Sequence, residues 1–235
     1  MLAHRVIMGV TKGKAPNELS TAVFRWYDAG QITGLSDGDP VSQWDDESAN
    51  ADHAVQTTGA SQPIYKTGII NGHPVVRFDG SNDRMRLSKI LDTSGAVGHI
   101  FVVVKGNGKA GILSTRSGTT TGWSLRFNST TDLLYYHSDE TPNISYSIAD
   151  QFNIIEVRRN GLDVQIGANG TLGATSTISG YTASAASNTF IGYESSGSSE
   201  YLNGDIAENV IYASLLSSAD RLDLISHFKA KYGIS

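Results

Sequence analysis

The sequence predicts an all-β protein: antiparallel strands that form a two-sheet sandwich, followed by one α-helix at the C-terminus. The stretch from Asn71 to Leu87 alternates apolar and charged residues around Asn71-Gly72 and Asp79-Gly80, which is the pattern of half-buried strands joined by sharp turns. Runs rich in β-branched and aromatic residues recur along the rest of the chain. Apolar residues at helical spacing predict a convincing helix only near the C-terminus.

The strands are predicted in chain order from these runs. They fall at residues 23–28, 41–46, 75–79, 85–87, 99–105, 112–116, 123–127, 133–137, 154–159, 162–166, 189–193 and 205–212. Pro74 has no amide to donate, so its strand is expected to begin at Val75. The run from His99 to Lys105 is almost wholly apolar, which indicates a central strand covered on both faces. Asn160-Gly161 between two such runs predicts a hairpin.

The C-terminal helix is predicted from its ends and from its apolar spacing. Ser217 is placed to cap the N-terminus, and Gly233 to provide the C-cap. Leu222, Ile225 and Phe228 give an apolar stripe, so the helix should dock on the sandwich.

Length and composition favour one domain at residues 21–235, preceded by an N-terminal extension or docking arm at residues 1–20. The absence of cysteine excludes disulfides and thiolate metal sites. A net charge of -5 argues against nucleic acid and anionic membranes as partners. We find no classical signal peptide and no apolar run long enough for a membrane span.

Four segments resemble a known family. They are Trp26–Ala29, Val41–Asn50, Gly72–Asp83 and Gly204–Tyr212, the last leading into the helix that ends near Ile234. In order and spacing they resemble the concanavalin A-like lectin/glucanase superfamily, in its laminin-G-like and pentraxin-like branch found in bacterial surface and phage virion proteins. The resemblance implies an antiparallel two-sheet jelly-roll sandwich whose concave face and rim loops can hold a glycan or calcium.

Glycoside hydrolysis requires two carboxylates that flank the scissile bond. The glucanases of the superfamily present them as Glu-x-Asp-x-x-Glu on one strand, and the nearest match here runs from Asn203 through Asp205 to Glu208. Asn203 stands where the nucleophile would be. We therefore expect no enzyme, with Asp205 at the start of a strand and Glu208 paired or solvated.

Asp79 and Asp83 are candidate ligands of a calcium cofactor, because both are hard oxygen donors and are close enough in sequence to share one cation. The alternative is that Asp79 accepts hydrogen bonds from amides of its own turn.

A glycan site is expected where aromatic faces meet hydrogen-bonding side chains on the concave face or its rim. The candidate residues are Trp123, Asn128, Tyr136, His137, Asp139, Tyr193 and Glu194. The alternative for each aromatic residue is packing in the core or on the surface.

Together, the family resemblance and the missing signal peptide lead to one functional hypothesis. It is a non-catalytic structural, decoration or adhesion protein of a bacteriophage virion, which contacts other virion or surface proteins through residues 1–20. The alternatives are a bacterial carbohydrate-binding module at the cell surface and, third, a glycoside hydrolase. A cell-surface glycan and a second copy of the chain are the other expected partners.

Overall fold

A computed structural model describes residues 13–88, 97–115, 122–137, 144–178, 189–194 and 200–235, with Val97, Tyr136 and His137 described by their backbone. The strands are β1 Arg25–Asp28, β2 Gln43–Trp44, β3 Ala54–Val55, β4 Ile64–Ile70, β5 His73–Asp79, β6 Met85–Leu87, β7 Val97–Gly106, β8 Ala110–Ser114, β9 Trp123–Ser129, β10 Asp132–His137, β11 Ile144–Ser147, β12 Asn153–Asn160, β13 Asp163–Ala168, β14 Thr171–Leu172, β15 Ser176–Thr177, β16 Thr189–Ile191, β17 Tyr193–Glu194, β18 Glu200–Tyr201 and β19 Asn203–Tyr212. One α-helix, α1, spans Ser218–Tyr232, and short 3-10 turns lie at Pro16–Glu18, Ala29–Gln31 and Gly59–Ser61.

Two antiparallel sheets form the sandwich. The first has the strand order β14-β13-β12-β7-β19-β5-β4, with β1 beside β19 and β15 beside β13; we call it the helix-side sheet. The second sheet has the order β11-β10-β9-β8-β16-β6-β3-β2. β17 and β18 form a separate two-stranded ribbon. The predicted fold class, an all-β jelly-roll sandwich with one C-terminal helix, is confirmed.

The central strand β7 is buried on both faces, as its apolar run predicts. Ile100, Val102 and Val104 enter the core between the two sheets. Phe101 and Val103 enter a second core, which lies between the helix-side sheet and α1. Because side chains alternate along a strand, one continuous apolar run supplies both cores.

The ends of α1 agree with the prediction, but its buried face is shifted. The Ser217 hydroxyl accepts a hydrogen bond from the Asp220 amide at 3.1 Å, and Gly233 adopts a left-handed φ of 66°. Leu224, Ile225, Phe228 and Tyr232 are buried, whereas Leu222 is 55% exposed. Leu222 lies two residues before Leu224, about 200° away around the helix axis, so it projects from the opposite face.

Most strand boundaries differ from the prediction by a few residues, and β3, β4, β11, β14, β15 and β18 were not predicted. The hairpin between β12 and β13 forms, but Asn160 pairs with Asp163, so its turn is Gly161-Leu162. Strand β5 begins at His73 rather than Val75 and therefore includes Pro74. Pro74 is tolerated because its neighbour β4 has a register irregularity between Lys66 and Ile70, so no ladder bond with β4 depends on its missing amide.

The N-terminal part of α1 is held to the helix-side sheet by a buried carboxylate. Glu156 of β12 accepts hydrogen bonds from Arg221 at 2.6 and 2.7 Å, and its Oε1 lies 2.7 Å from Nε2 of His99. Burial alone would raise the pKa of Glu156, but hydrogen bonds and charge from His99 and Arg221 outweigh it and hold the pKa below its ordinary value. The ionised carboxylate therefore stabilises the docked helix.

The C-terminal part of α1 is held by a second buried cluster. The Lys231 Nζ atom lies 2.7 Å from Asp28 and 2.8 Å from Glu208. Trp26 Nε1 and the Tyr232 hydroxyl also donate to Glu208, at 2.6 and 2.7 Å. Burial and the charge of Asp28 raise the pKa of Glu208, so this carboxylate depends on Lys231 for compensation.

The described part of the predicted arm packs on α1 of its own chain. A Cβ at Gly13 would lie 1.9 Å from the Asp223 carbonyl oxygen, so only glycine fits against the helix there. Lys14 pairs with Asp223 at 2.9 Å, Ser20 donates to Asp220, and the Pro16 carbonyl accepts from Tyr212 at 3.0 Å. Residues 1–12 lie outside the described residues, and docking of the arm to a partner stays a prediction. Among the described residues, no helix is both long enough and apolar enough to span a bilayer.

Replacing Lys231 should expose the dependence of the second cluster on its cation. We expect Lys231→Met to lower the free energy of unfolding by about 3–5 kcal/mol, because Asp28 and Glu208 are left buried without their partner. Adding Glu208→Gln should restore part of the loss. Urea unfolding measures both variants, with Lys229→Met as the control, because Lys229 forms no ion pair with the described residues. Equal losses for Lys231→Met and Lys229→Met would contradict this account.

The buried cluster around Glu156 predicts that docking of α1 weakens in acid. The folded-state pKa of Glu156 is below its unfolded value of about 4.3, so its contribution is present above that pH and is lost as the pH falls through the folded pKa. Glu156→Gln should therefore unfold more easily at neutral pH and show a shallower loss of stability below about pH 4.3. Asp150→Asn removes an exposed carboxyl and serves as the control. An unchanged acid slope in Glu156→Gln would count against the prediction.

Candidate functional site

One row of side chains crosses the outer face of the second sheet, which is the face turned away from the core. Directly opposed residues of neighbouring strands share a face. The register places in this row Gln43, Val55, Arg86, Phe190, Ser114 and Ser124. Gln43 and Arg86 are exposed, Val55 and Phe190 are partly exposed, and the two serines are buried. The row therefore runs from long, accessible side chains to small, covered ones.

The ribbon of β17 and β18 leaves β16 beside this row, and two glycines allow its path. Gly192 has a φ of 79°, and a Cβ there would lie 2.4 Å from the Phe78 ring. A Cβ at Gly111 of β8 would lie 2.5 Å from the Glu194 amide nitrogen. The backbone of the ribbon thus lies directly against β8, in space that any larger residue at position 111 would occupy.

Aromatic rings and arginines from the ribbon and the row form one surface. We name it the aromatic–arginine patch and define it by its members, Arg84, Arg86, Phe190, Tyr193 and Tyr201. The Tyr193 and Tyr201 ring centroids are 4.8 Å apart, and the Phe190 ring meets Tyr193 edge-on at 5.2 Å. The Arg84 guanidinium carbon lies 5.5 Å from the Tyr193 ring centroid and 5.9 Å from that of Tyr201.

A buried ionic cluster anchors the ribbon beneath the patch. Arg126 projects from β9 opposite Gly111, and its Nη1 atom lies 3.1 Å from Glu194 and 2.8 Å from Glu200. Lys109 contacts the other Glu200 oxygen at 2.5 Å. The Glu194 side chain is fully buried and those of Glu200 and Arg126 are nearly so. These two carboxylates and two cations fix the position of both ribbon strands.

The predicted glycan-binding residues do not form a single group. Tyr193 belongs to the aromatic–arginine patch, and Glu194 lies beneath it in the ionic cluster. Asn128 is exposed on β9 and donates to Asp132 at 3.0 Å. Of the remaining candidates, Asp139 and the side chains of Tyr136 and His137 lie outside the described residues.

Trp123 requires a correction. Its indole is 1% exposed and stacks on Tyr135 in the core between the sheets, with ring centroids 6.0 Å apart. Trp123 starts the core-facing set of β9 that continues with Leu125 and Phe127. A sugar cannot reach this ring while the core is packed, so Trp123 is removed from the candidate site.

Sequence reasoning missed most of the patch. Arg84 and Arg86 are charged positions of the alternating stretch from Asn71 to Leu87, and Tyr201 lies between the strands predicted at residues 189–193 and 205–212. The alternation of Arg84 and Arg86 with Met85 and Leu87 was the available signal, because it puts both arginines on one outward face. That this face meets Tyr193 and Tyr201 depends on contacts more than a hundred residues apart in the chain.

Asp79 and Asp83 are engaged with the backbone of their own turn. Asp79 Oδ1 accepts from the amides of Ser81, Asn82 and Asp83 at 2.8, 3.2 and 3.4 Å, and Asp83 accepts from the Asp79 amide at 2.9 Å. Burial and the charge of Asp79 raise the pKa of Asp83 to about 6. The structure thus shows the turn-capping arrangement. Within the described ranges, no three His, Cys, Asp or Glu side chains are grouped as metal ligands.

Asp205 and Glu208, the acids of the glucanase-like segment, serve separate structural contacts. Asp205 accepts hydrogen bonds from Nε and Nη2 of Arg77, at 2.7 and 2.9 Å. Glu208 is buried in the cluster that holds α1. Asp205 therefore pairs with Arg77, and Glu208 pairs with Lys231.

No protein-family model and no curated protein matches the chain. Among solved structures, the binding domain of botulinum neurotoxin DC, in complex with rat synaptotagmin II, matches with a TM-score of 0.60 and 11% identity, over 90% of this chain and 52% of that chain. Botulinum neurotoxin type C, whose cell entry depends on two ganglioside molecules, gives 0.58 and 10%, over 87% and 50%. The CBM40 of a Ruminococcus gnavus sialidase, bound to α2,3-sialyllactose, gives 0.45 and 18%, over 55% and 81%.

The chain spans about half the length of the neurotoxin chains that it matches. At these identities the similarity is one of fold alone. The fold of this protein is the sheet-rich sandwich also found in the botulinum neurotoxin binding domain.

Proposed function

We propose that this protein is a non-catalytic glycan-binding domain and that a sugar ring rests on the aromatic–arginine patch. The observation that carries the proposal is the pair of partly exposed rings, Tyr193 and Tyr201, held 4.8 Å apart on the outer face of the second sheet. The apolar face of a pyranose packs against such rings, while its hydroxyls take hydrogen bonds from polar neighbours. Arg84 and the Tyr201 hydroxyl supply those bonds.

The ribbon that carries both tyrosines is anchored before any ligand binds. Arg126 fixes both ribbon strands through Glu194 and Glu200, and Arg84 packs against both tyrosine rings. A preformed surface loses little conformational entropy on binding, which favours affinity for small, polar ligands such as sugars. The fold neighbours support the proposal at the level of architecture, since the botulinum neurotoxin type C match is a ganglioside-dependent protein.

In this proposal the domain serves attachment at a biological surface. The resemblance to domains of phage virions suggests a structural or adhesion protein of a virion, and the same resemblance accommodates a lectin-like module of a bacterial surface. Partner proteins contacted through residues 1–20 and self-association also belong to the proposal. Co-purification of the chain with phage particles would distinguish the virion role from the cell-surface role.

A glycoside hydrolase is the second candidate, because Glu194 and Glu200 both contact the same nitrogen of Arg126 and so lie near each other. Hydrolysis would require one of them to carry a proton and both to face the glycosidic bond. Their near-complete burial and their pairing with Arg126 and Lys109 favour a structural role instead. A hydrolase would release reducing sugar from a bound glycan, and Glu200→Gln would abolish that release. This result would establish that the protein is a glycoside hydrolase.

Removal of the Tyr193 ring tests the binding site. We expect Tyr193→Ala to weaken glycan binding on the order of tenfold, because the stacking surface is lost, and Tyr193→Phe to retain most of it. A glycan array followed by titration calorimetry provides the measurement. Phe152→Ala, which removes a partly buried ring packed on the helix-side core, is the control and should bind normally. Unchanged binding in Tyr193→Ala would place the site elsewhere.

The effect of removing calcium distinguishes a glycan site on the patch from a calcium-dependent site at Asp79 and Asp83. The patch offers rings and guanidinium groups rather than clustered oxygen ligands, so glycan binding should survive EDTA. If EDTA abolishes binding and Asp79→Asn does the same, the turn at Asp79 and Asp83 holds a functional cation and the patch is not sufficient.

A further inference from the structure

We propose that the aromatic–arginine patch selects acidic saccharides, with Arg86 and Arg84 recognising a carboxylate or sulfate attached to the sugar that packs on Tyr193 and Tyr201. This inference rests on the proposed glycan-binding function and adds the chemical class of the ligand. Its basis is the distribution of charge around the patch.

No carboxylate in the part of the chain that the structure describes neutralises the charge of the two arginines. Among the described residues, every ion pair beneath the patch involves Arg126 or Lys109, and no acidic side chain lies within ion-pair distance of Arg84 or Arg86. Glu194 and Glu200 are balanced by Arg126 and Lys109. The patch therefore keeps the two positive charges of Arg84 and Arg86.

The nearest acidic residues in the sequence are turned to other groups. Asp79 and Asp83 accept hydrogen bonds from amides of their own turn. The chain as a whole is acidic, with 23 Asp and Glu against 18 Lys and Arg. A net positive patch on an acidic protein makes one face attractive to a localised anion, whereas an extended polyanion would meet repulsion from the rest of the surface.

The backbone fixes where both arginine side chains begin. Arg86 lies within β6, paired with Phe190 on one side and Val55 on the other. The Arg84 carbonyl accepts from Gln56, and its amide donates to Ser61. Because the two residues are separated by one position, both side chains lie on the outward face, about 7 Å apart along the strand.

The chemistry of the two arginines is complementary. Arg84 donates one N–H to the Tyr201 hydroxyl at 3.2 Å and packs against the tyrosine rings, which orient the plane of its guanidinium group. The Arg86 side chain is exposed and makes no hydrogen bond or ion pair with the described residues, which leaves its five N–H donors available to a ligand. A planar guanidinium binds carboxylate or sulfate through two parallel hydrogen bonds.

The test compares one sugar backbone with and without an acid. Titrations with lactose, sulfated lactose and sialyllactose should show that the wild-type protein binds the two acidic sugars at least tenfold more tightly. Rising salt concentration should reduce that difference. Arg86→Gln should reduce the ratio of the affinity for the acidic sugars to the affinity for lactose by about tenfold. Arg86→Lys should retain part of the preference, because it keeps the charge but loses the planar donor pair.

The controls separate the two proposals. Arg158→Gln removes an arginine of the helix-side sheet that contacts Gln165, and it should leave every affinity unchanged. Equal binding of neutral and acidic sugars by the wild-type protein, or equal weakening of both by Arg86→Gln, would overturn the acidic preference alone. Absence of binding to any glycan on a broad array, with the protein folded by circular dichroism, would overturn the proposed function and this inference together.

Discussion

The double-sided burial of β7 and β19 is the constraint on which the rest of the structure depends. Val102 and Val104 of β7 enter one core, and Phe101 and Val103 enter the other. A sheet whose central strands are apolar on both faces must be covered on both faces, because exposing either would leave a large apolar surface in water. The second sheet covers one face and α1 covers the other. The outer face of the second sheet then carries the aromatic–arginine patch.

Buried charges decide how α1 lies on its sheet. The apolar residues of the helix would tolerate several positions, since hydrophobic contact has no preferred direction. Glu156 can meet Arg221, and Glu208 can meet Lys231, only when the helix has one orientation and one axial position. Such pairs add little net stability over apolar replacements, but leaving one member unpaired is strongly unfavourable. We infer that they act mainly by excluding other arrangements.

The same principle positions the candidate site. Arg126 lies on the outer face of β9 and binds both Glu194 and Glu200, and the backbone of Tyr193 and Glu194 lies against Gly111. The residues next to these glutamates, Tyr193 and Tyr201, are thereby presented side by side. The ionic cluster is hidden, and the surface it supports is the one proposed to bind the ligand. Arg86 of β6 and Arg84, which directly precedes β6, complete that surface from a distant part of the chain.

The sequence by itself determined the class of fold, the two-sided strand β7 and the ends of α1. These features depend on local rules: alternation along a strand, Ser217 as a hydrogen-bonding cap, and Gly233 at a positive φ. Only the tertiary structure decided which aromatic residues are accessible. Trp123 and Tyr193 both follow glycines in strand-like runs, yet one is buried against Tyr135 and the other packs beside Tyr201 on the surface. The difference arises because cross-strand neighbours and the path of the ribbon over Gly111 are set by contacts between distant segments, which alternation along one segment does not specify.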